Sequence, residues 1–386
     1  MDYNTPSGRE EIFVSDKTIP TKKSGQRIAN GFLEDNYPRN MWWVAARVDE
    51  VSEKPLARWI LEKPVVLYRL ANGAPAALYD RCPHRWAPLS EGHVEGDKIV
   101  CSYHGMEFDT GGYCTSAPTN KTTPESSKIP SFPVRESGAF IWIWMGDASA
   151  IDCEPVDMSY TTDPEWSFVT GYYEVEVNWI LIRENVMDLT HIAFLHKNTF
   201  KQNDWIQAPE VYMDGDEVCY RQEFDLAPLS PLFCPGMGLP EDKPITRTQV
   251  GRMPTLAVSF SDWNVHDPTP EEGQRSDFIM RGCHIVTPSV RGKTHYYWGQ
   301  AFDVPNIPPD VADKTRESVT AAFDEDKHLL EKLQAQVEAD PTGMDYPELT
   351  LGADRAGVRV RQALKRKLAA EGRTLEQAME TGNLES

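Results

Sequence analysis

The stretch RCPHRWAPLSEGHVEGDKIVCSYHGMEF, Arg81 to Phe108, decides how the rest of the chain is read. Cys82 and His84 stand one residue apart, Cys101 and His104 two apart, and sixteen residues (85–100) separate the two arms. Structural zinc sites usually pair like with like across each short arm, as Cys-x2-4-Cys and His-x3-5-His. Here each arm mixes a thiolate with an imidazole. That mixture suits a two-iron, two-sulfide cluster in which one iron takes both cysteines and the other both histidines, an arrangement that raises the potential above that of an all-cysteine ferredoxin. Pro83 fixes the chain between the first two ligands, and Gly105, without a Cβ, lets backbone amides approach the sulfides. Trp86 reads either as a shield for the cluster or as core of a small β domain. His93 has no partner at ligand spacing and reads as a surface histidine.

Outward from these arms, MWWVAARV, PVVLYRL, PAALYD, KIVCSYH, MEFDTGGYC and GAFIWIWMG show apolar runs broken by Asn-Gly and Gly-Gly signals. The pattern predicts an antiparallel all-β domain over residues 36–150, behind an N-terminal arm of 1–35. Within it, TSAPTNKTTPESSKIPSFP reads as a polar, Pro-rich surface loop. A boundary falls at DASAIDCEPVDMSYTTDPEW, where the chain turns acidic and irregular. Residues 151–345 then read as an α+β domain, with strands at WSFVTGYYEVEVN, LAVSFSDWNV, FIMRGCHIVTP and THYYWGQAFDV and a helical run from Trp179 to His196. A helical tail occupies 346–386. The segment 226–244, containing APLSPLFCPGMGLPEDKP, holds too much Pro and Gly for either element and reads as a loop, a candidate lid.

Charge narrows the partners. Lys plus Arg number 39 against 59 for Asp plus Glu, a formal charge of −20, which repels phosphate backbones and anionic membranes. Neither nucleic acid nor membrane is expected as a partner, and without a signal-peptide pattern or a spanning apolar run the chain reads as cytoplasmic. The other cysteines, Cys114, Cys153, Cys219, Cys234 and Cys283, read as ordinary buried thiols. Cys283 is followed by His284, but neighbours on a strand face opposite ways and chelate poorly.

A second constellation lies in NWILIRENVMDLTHIAFLHKNTF. On a helix Asp188 and His191 share a face, while His196 falls about 140° round from His191, so the helix must kink or end before both can reach one ion. A third, carboxylate ligand is expected far along the chain, since two histidines and one carboxylate leave positions open on non-haem Fe(II). In ESVTAAFDEDKHLLEKLQAQV the apolar stripe Val319, Phe323, Leu330, Leu333, Val337 contains Asp326, with Asp324 and Glu325 pointing away. A lone carboxylate on a buried face needs a partner such as a cation.

Taken together, the two mixed arms, Asp-x-x-His-x-x-x-x-His and a late carboxylate resemble the Rieske non-haem iron oxygenase α subunit across roughly residues 36–340. MWWVAA, CPHRWAPLSEG, CSYHGMEFD, ENVMDLTHIAFLH and FDEDKHLLE look most like its trimeric, phthalate-type branch, which includes vanillate and dicamba O-demethylases and chloroacetanilide N-dealkylases. The resemblance implies a Rieske domain followed by a helix-grip catalytic domain. It implies Cys82 and Cys101 on one cluster iron, His84 and His104 on the other, and a mononuclear Fe(II) held by His191, His196 and Asp326. It further implies Asp188 as a bridge between metal sites, Asn185 near the iron, and a homotrimer.

No strand followed by G-x-G-x-x-G is present, so NAD(P)H serves only through a separate reductase, with or without a ferredoxin, and O2 is the co-substrate. The expected reaction is hydroxylation and removal of an O- or N-alkyl group from a small aromatic compound. A ring dioxygenase making a diol is the alternative within the family; an electron carrier or zinc-stabilised binding protein is the alternative outside it. Candidate substrate contacts are His284, Phe194, Trp263, Met237 and Phe233, with Leu232, Phe260, Phe278 and Trp298 as further wall candidates.

Overall fold

The computed structural model describes residues 37–120, 122, 127–201, 207–339, 349 and 351–373. The expected N-terminal arm, the interior of the Pro-rich loop and the end of the C-terminal tail lie outside the described residues. In the N-terminal half, strict alternation along KPVVLYR places β3 (Lys63–Arg69) between two cores. Val65 and Leu67 face a large core, and Val66 and Tyr68 face a small one. β3 pairs with β2 (Leu56–Ile60) and β4 (Pro75–Tyr79). The small core also holds Leu78, Leu89, Ile99, Met106 and Phe108 beside Cys82 and Cys101. A four-stranded sheet, β5 (His93–Glu95) to β6 (Lys98–Val100) to β7 (Glu107–Phe108) to β8 (Cys114–Ser116), carries the second ligand arm. A third sheet, in the order β1 (Trp42–Arg47), β10 (Phe140–Trp144), β9 (Val134–Ser137), belongs to the large core.

Among the described residues the C-terminal half is built on one seven-stranded antiparallel sheet in the order β11-β17-β16-β15-β14-β13-β12. Its strands are β11 (Ser167–Val175), β12 (Glu210–Asp214), β13 (Glu217–Pro228), β14 (Pro244–Thr255), β15 (Val258–His266), β16 (Asp277–Pro288) and β17 (Thr294–Phe302). The period of two sorts its residues. Ser261, Trp263, His284, Trp298 and Gln300 share one face, while Phe260, Cys283 and Tyr297 share the other. The second face is covered by the β1-β10 sheet: Thr287 Oγ1 donates to Val44 O at 2.8 Å and Tyr297 OH to Ala45 O at 3.2 Å. The first face is covered by α1 (Trp179–Met187) and α3 (Pro309–Ala339), with α2 (Cys234–Met237) at the edge and α4 (Arg355–Ala370) outside α1. The large core therefore runs without a break across residue 150.

Several expectations need correction. The helix expected to reach His196 ends at Met187, because Asp188 turns to extended backbone (φ −110°, ψ 106°). Its carboxylate instead accepts from Thr190 N (2.9 Å) and Thr190 Oγ1 (2.7 Å), opening a separate 3-10 turn, Thr190–Ala193. The segment 226–244 is not all loop: β13 runs on to Pro228 and α2 forms with Pro235 in its first turn, where a missing N–H costs nothing. Strands β12 to β14 were not expected. On α3 the buried positions are Thr315, Val319, Ala322, Asp326 and Gln334, whereas Leu333 is 40% exposed. Trp86 is 71% exposed and so is not core. Among the thiols, Cys153 is exposed and Cys114 half-buried, against the expectation for both. His93 is exposed, as expected.

Candidate metal centres and substrate cavity

The two ligand arms fold as copies of one turn. Cys82 N donates to Ala87 O and Cys101 N to Met106 O, each at 2.8 Å; Trp86 N returns to Cys82 O and Gly105 N to Cys101 O, each at 2.9 Å. The fifth residue of each turn is left-handed, Trp86 at φ 61° and Gly105 at φ 69°. Glycine is at ease there and tryptophan is not. The turns bury Cys82 and Cys101 to 2% and 1% exposure and leave the two imidazoles at the protein surface, ring centroids 4.5 Å apart. Burial pushes the Cys82 thiol up to about 11, so bound iron is what would hold that sulfur as a thiolate. Buried sulfurs on one side, with an exposed His84 and a half-buried His104 on the other, fit the ligand set of a two-iron, two-sulfide cluster.

The second constellation converges. His191 Nε2 lies 3.5 Å from Asp326 Oδ1, His196 Nε2 lies 3.2 Å from Asp326 Oδ2, and one donor atom from each of the three residues lies within 4.8 Å of the others. Metal–ligand bonds of about 2.1 Å at right angles set neighbouring donors about 3 Å apart, so the three are nearly placed for one ion. The far nitrogens fix the tautomers. His191 Nδ1 faces the backbone oxygen of Asp188, which can only accept, and His196 Nδ1 faces Glu325 Oε2 at 2.7 Å. Both Nε2 atoms are therefore the bare nitrogens, and they confront a carboxylate that also has no proton to offer. A divalent cation resolves that confrontation, and two histidines with one carboxylate suit Fe(II). Although burial raises the Asp326 pKa, the two adjacent histidines bring it below the ordinary carboxylate value. Asn185 Nδ2 donates to Asp326 Oδ1 at 3.1 Å and holds the carboxylate's rotation.

Glu325 was expected to point away from the site and does not. It accepts from Thr199 Oγ1 at 2.6 Å as well as facing His196. Asp324 is exposed and lies by Tyr173. Asp188 also differs from expectation: its backbone, not its carboxylate, meets His191, and its Oδ2 has no hydrogen-bond partner among the described residues.

The triad forms one wall of a cavity of about 710 Å³. Phe233, Trp263, Trp298 and His284 line it as expected, whereas Phe194 is 72% exposed and Met237, Leu232, Phe260 and Phe278 do not line it. Phe260 and Phe278 instead lie beneath Arg252 and Arg275. Gly282, opposite both Ser261 and Gln300, leaves space at the cavity's polar end. Gly282, Ser261, Gln300, Phe200, Ile192 and Val319 were not foreseen; the face assignment of β15 to β17 was the available signal for the first three. His284 Nδ1 bonds Tyr296 OH at 2.8 Å. Burial and the fully buried Arg183 push the His284 pKa down to about 4, so it presents a neutral ring.

These geometries can be set against known proteins. Residues 41–133 match the Rieske [2Fe-2S] domain, and residues 175–370 match the vanillate O-demethylase oxygenase C-terminal domain. The chain is 34% identical to the dicamba O-demethylase oxygenase component of Stenotrophomonas maltophilia, over 86% of this chain and 97% of that one. It is 31% identical to the chloroacetanilide N-alkylformylase oxygenase component of Rhizorhabdus wittichii, over 89% and 99%. Among solved structures, dicamba monooxygenase with non-haem iron and dicamba superposes with a TM-score of 0.74 at 32% identity, covering 87% of this chain and 99% of that one. Two like-folded cluster arms, a two-histidine, one-carboxylate wall and matches along both halves lead to one conclusion: the chain belongs to the Rieske non-haem iron oxygenases, as an oxygenase component with a vanillate O-demethylase-type catalytic domain.

Proposed function

We propose that this protein removes an O- or N-alkyl group from a small aromatic compound by hydroxylating the carbon beside the heteroatom. One substrate, one O2, two electrons and two protons then yield the dealkylated product, an aldehyde and water. The observation that carries the reading is the position of the triad: its two bare Nε2 atoms and Asp326 form the wall of an aromatic-lined cavity large enough for a substituted ring. In this reading Cys82, Cys101, His84 and His104 hold the cluster and His191, His196 and Asp326 hold iron, which supplies reductive activation of dioxygen when bound. Glu325 and the Asp188 carbonyl keep both Nδ1 positions protonated, and Asn185 keeps Asp326 turned toward the histidines.

Phe233, Trp263 and Trp298 pack the ring and exclude water, while neutral His284, Ser261 and Gln300 take its polar substituents. Electrons come from NAD(P)H through a separate reductase, with or without a ferredoxin, in the cytoplasm. Dicamba O-demethylase and chloroacetanilide N-alkylformylase are each named as an oxygenase component, which supports a separate donor. Transfer between centres runs across a homotrimer, with the open Asp188 Oδ2 receiving the His104 imidazole of a neighbouring copy. The test is a panel of aryl alkyl ethers and N-alkyl anilides supplied with O2 and a reductase. An aldehyde formed in step with substrate loss is expected; a diol without aldehyde would overturn dealkylation.

A further inference from the structure

A second, smaller cavity, of about 320 Å³ counting the solvent at its mouth, is lined by Asp326 but by neither triad histidine. Asn185, Phe323 and Asp326 line both cavities, so the two adjoin at Asp326, one of the three candidate iron ligands. Its walls are apolar: Val175, Val177 and Ile182 are each no more than 3% exposed. The two tyrosines that line it spend their hydroxyls elsewhere, Tyr173 on Thr320 O at 3.0 Å and Tyr296 on His284 at 2.8 Å, and show the lumen their stacked rings. At the outer end Leu330 and Lys327 are half-exposed, and Lys327 Nζ is drawn aside to Glu331 at 3.1 Å.

We propose that this small cavity is the route by which dioxygen reaches the metal centre, with Asn185 and Phe323 dividing it from the substrate cavity. The inference rests on the oxygenase reading above. Apolar walls favour small apolar molecules such as xenon, and dioxygen is such a molecule. An aromatic substrate that fills the larger cavity stands between solvent and iron on that side, so a gas arriving after it needs another way in. With less than half the volume of its neighbour, the small cavity favours a diatomic over a substituted ring.

The test uses the whole protein, with Leu330→Trp to plug the mouth and Leu330→Ala to widen it. Xenon-pressurised crystals should show xenon in the small cavity of the native protein and none there in Leu330→Trp, a result read without turnover. In Leu330→Trp the KM for O2 should rise about fivefold, equivalent to about 1 kcal/mol, while substrate Kd, iron content and kcat at saturating O2 hold. Leu330→Ala should leave the KM for O2 unchanged or lower it, which keeps the test alive should the tryptophan variant fail to fold. Xenon found only in the larger cavity, or an unchanged KM for O2 in a Leu330→Trp protein whose small cavity takes no xenon, would overturn the route. If the iron-loaded native protein consumes no oxygen across the dealkylation panel, the oxygenase reading itself falls, and the xenon positions separate that failure from the failure of the route.

Discussion

At the scale of single residues, one turn of α3 carries three acids with three fates. Asp326 faces both histidines, Glu325 reaches round to His196 Nδ1, and Asp324 lies outward by Tyr173. Asp326→Ala should abolish mononuclear iron binding while the visible cluster spectrum persists, and Asp324→Ala should be nearly silent. Glu325→Ala should weaken iron by ten- to a hundredfold, about 1.4 to 2.7 kcal/mol, the usual cost of losing a partner behind a metal-bound histidine. Iron per chain by elemental analysis, across a chelator series, checks all three; equal losses in Asp324→Ala and Asp326→Ala would refute the helical phase. Helical phase alone identifies Asp326, because burial is a property of the face. It misses Glu325, because a glutamate's extra methylene lets it swing back toward a partner its Cα does not face.

At the scale of elements, the break at Asp188 decides whether two histidines five residues apart can serve one ion. A local bond from Thr190 to the Asp188 carboxylate, which competes with helix continuation, lies where α1 ends and the chain restarts as a 3-10 turn. Asp188→Asn keeps an oxygen for Thr190, so both metals should be retained while electron transfer slows severely. Asp188→Ala also loses both hydrogen bonds from Thr190 and should lose iron as well. Single-turnover kinetics beside metal analysis separates the two outcomes. The apolar pattern around Asp188 concealed this break. Weak pattern also hid β12, an edge strand whose residues are largely exposed, and β13, whose buried residues Val218 to Tyr220 form a run and not an alternation, whereas β15 to β17, buried on both faces, were plain in the composition. The cluster arms were the most legible feature of all, because every ligand lies within 23 residues (82–104) and the turns that set them are local.

At the scale of the whole molecule, the two cores predict that Cys101→Ser loses the cluster absorption yet leaves the large core folded, since Cys101 belongs only to the small one. That variant and Asp326→Ala, each inactive alone, should regain partial activity when co-expressed in mixed trimers. Verified mixed trimers that stay inactive would refute transfer between chains. The proposed homotrimer was implied by family resemblance and not by any residue spacing, because a symmetric contact leaves no periodic trace in one chain.

The unbroken large core has a consequence for anyone exchanging parts between relatives. A chimaera joined at residue 150 cuts through one hydrophobic interior: it must match foreign versions of Val44, Ala45 and Phe140 to the native Thr287 and Tyr297, and misfit interiors cost several kcal/mol. A graft limited to residues 80–129 exchanges both turns and most of the small core, leaving only Val66, Tyr68, Ala76 and Leu78 of its buried residues to be matched. Such a graft should fold and carry the donor's cluster potential into the recipient's substrate range, which places the natural seam for tuning electron supply inside the N-terminal half and not at its end.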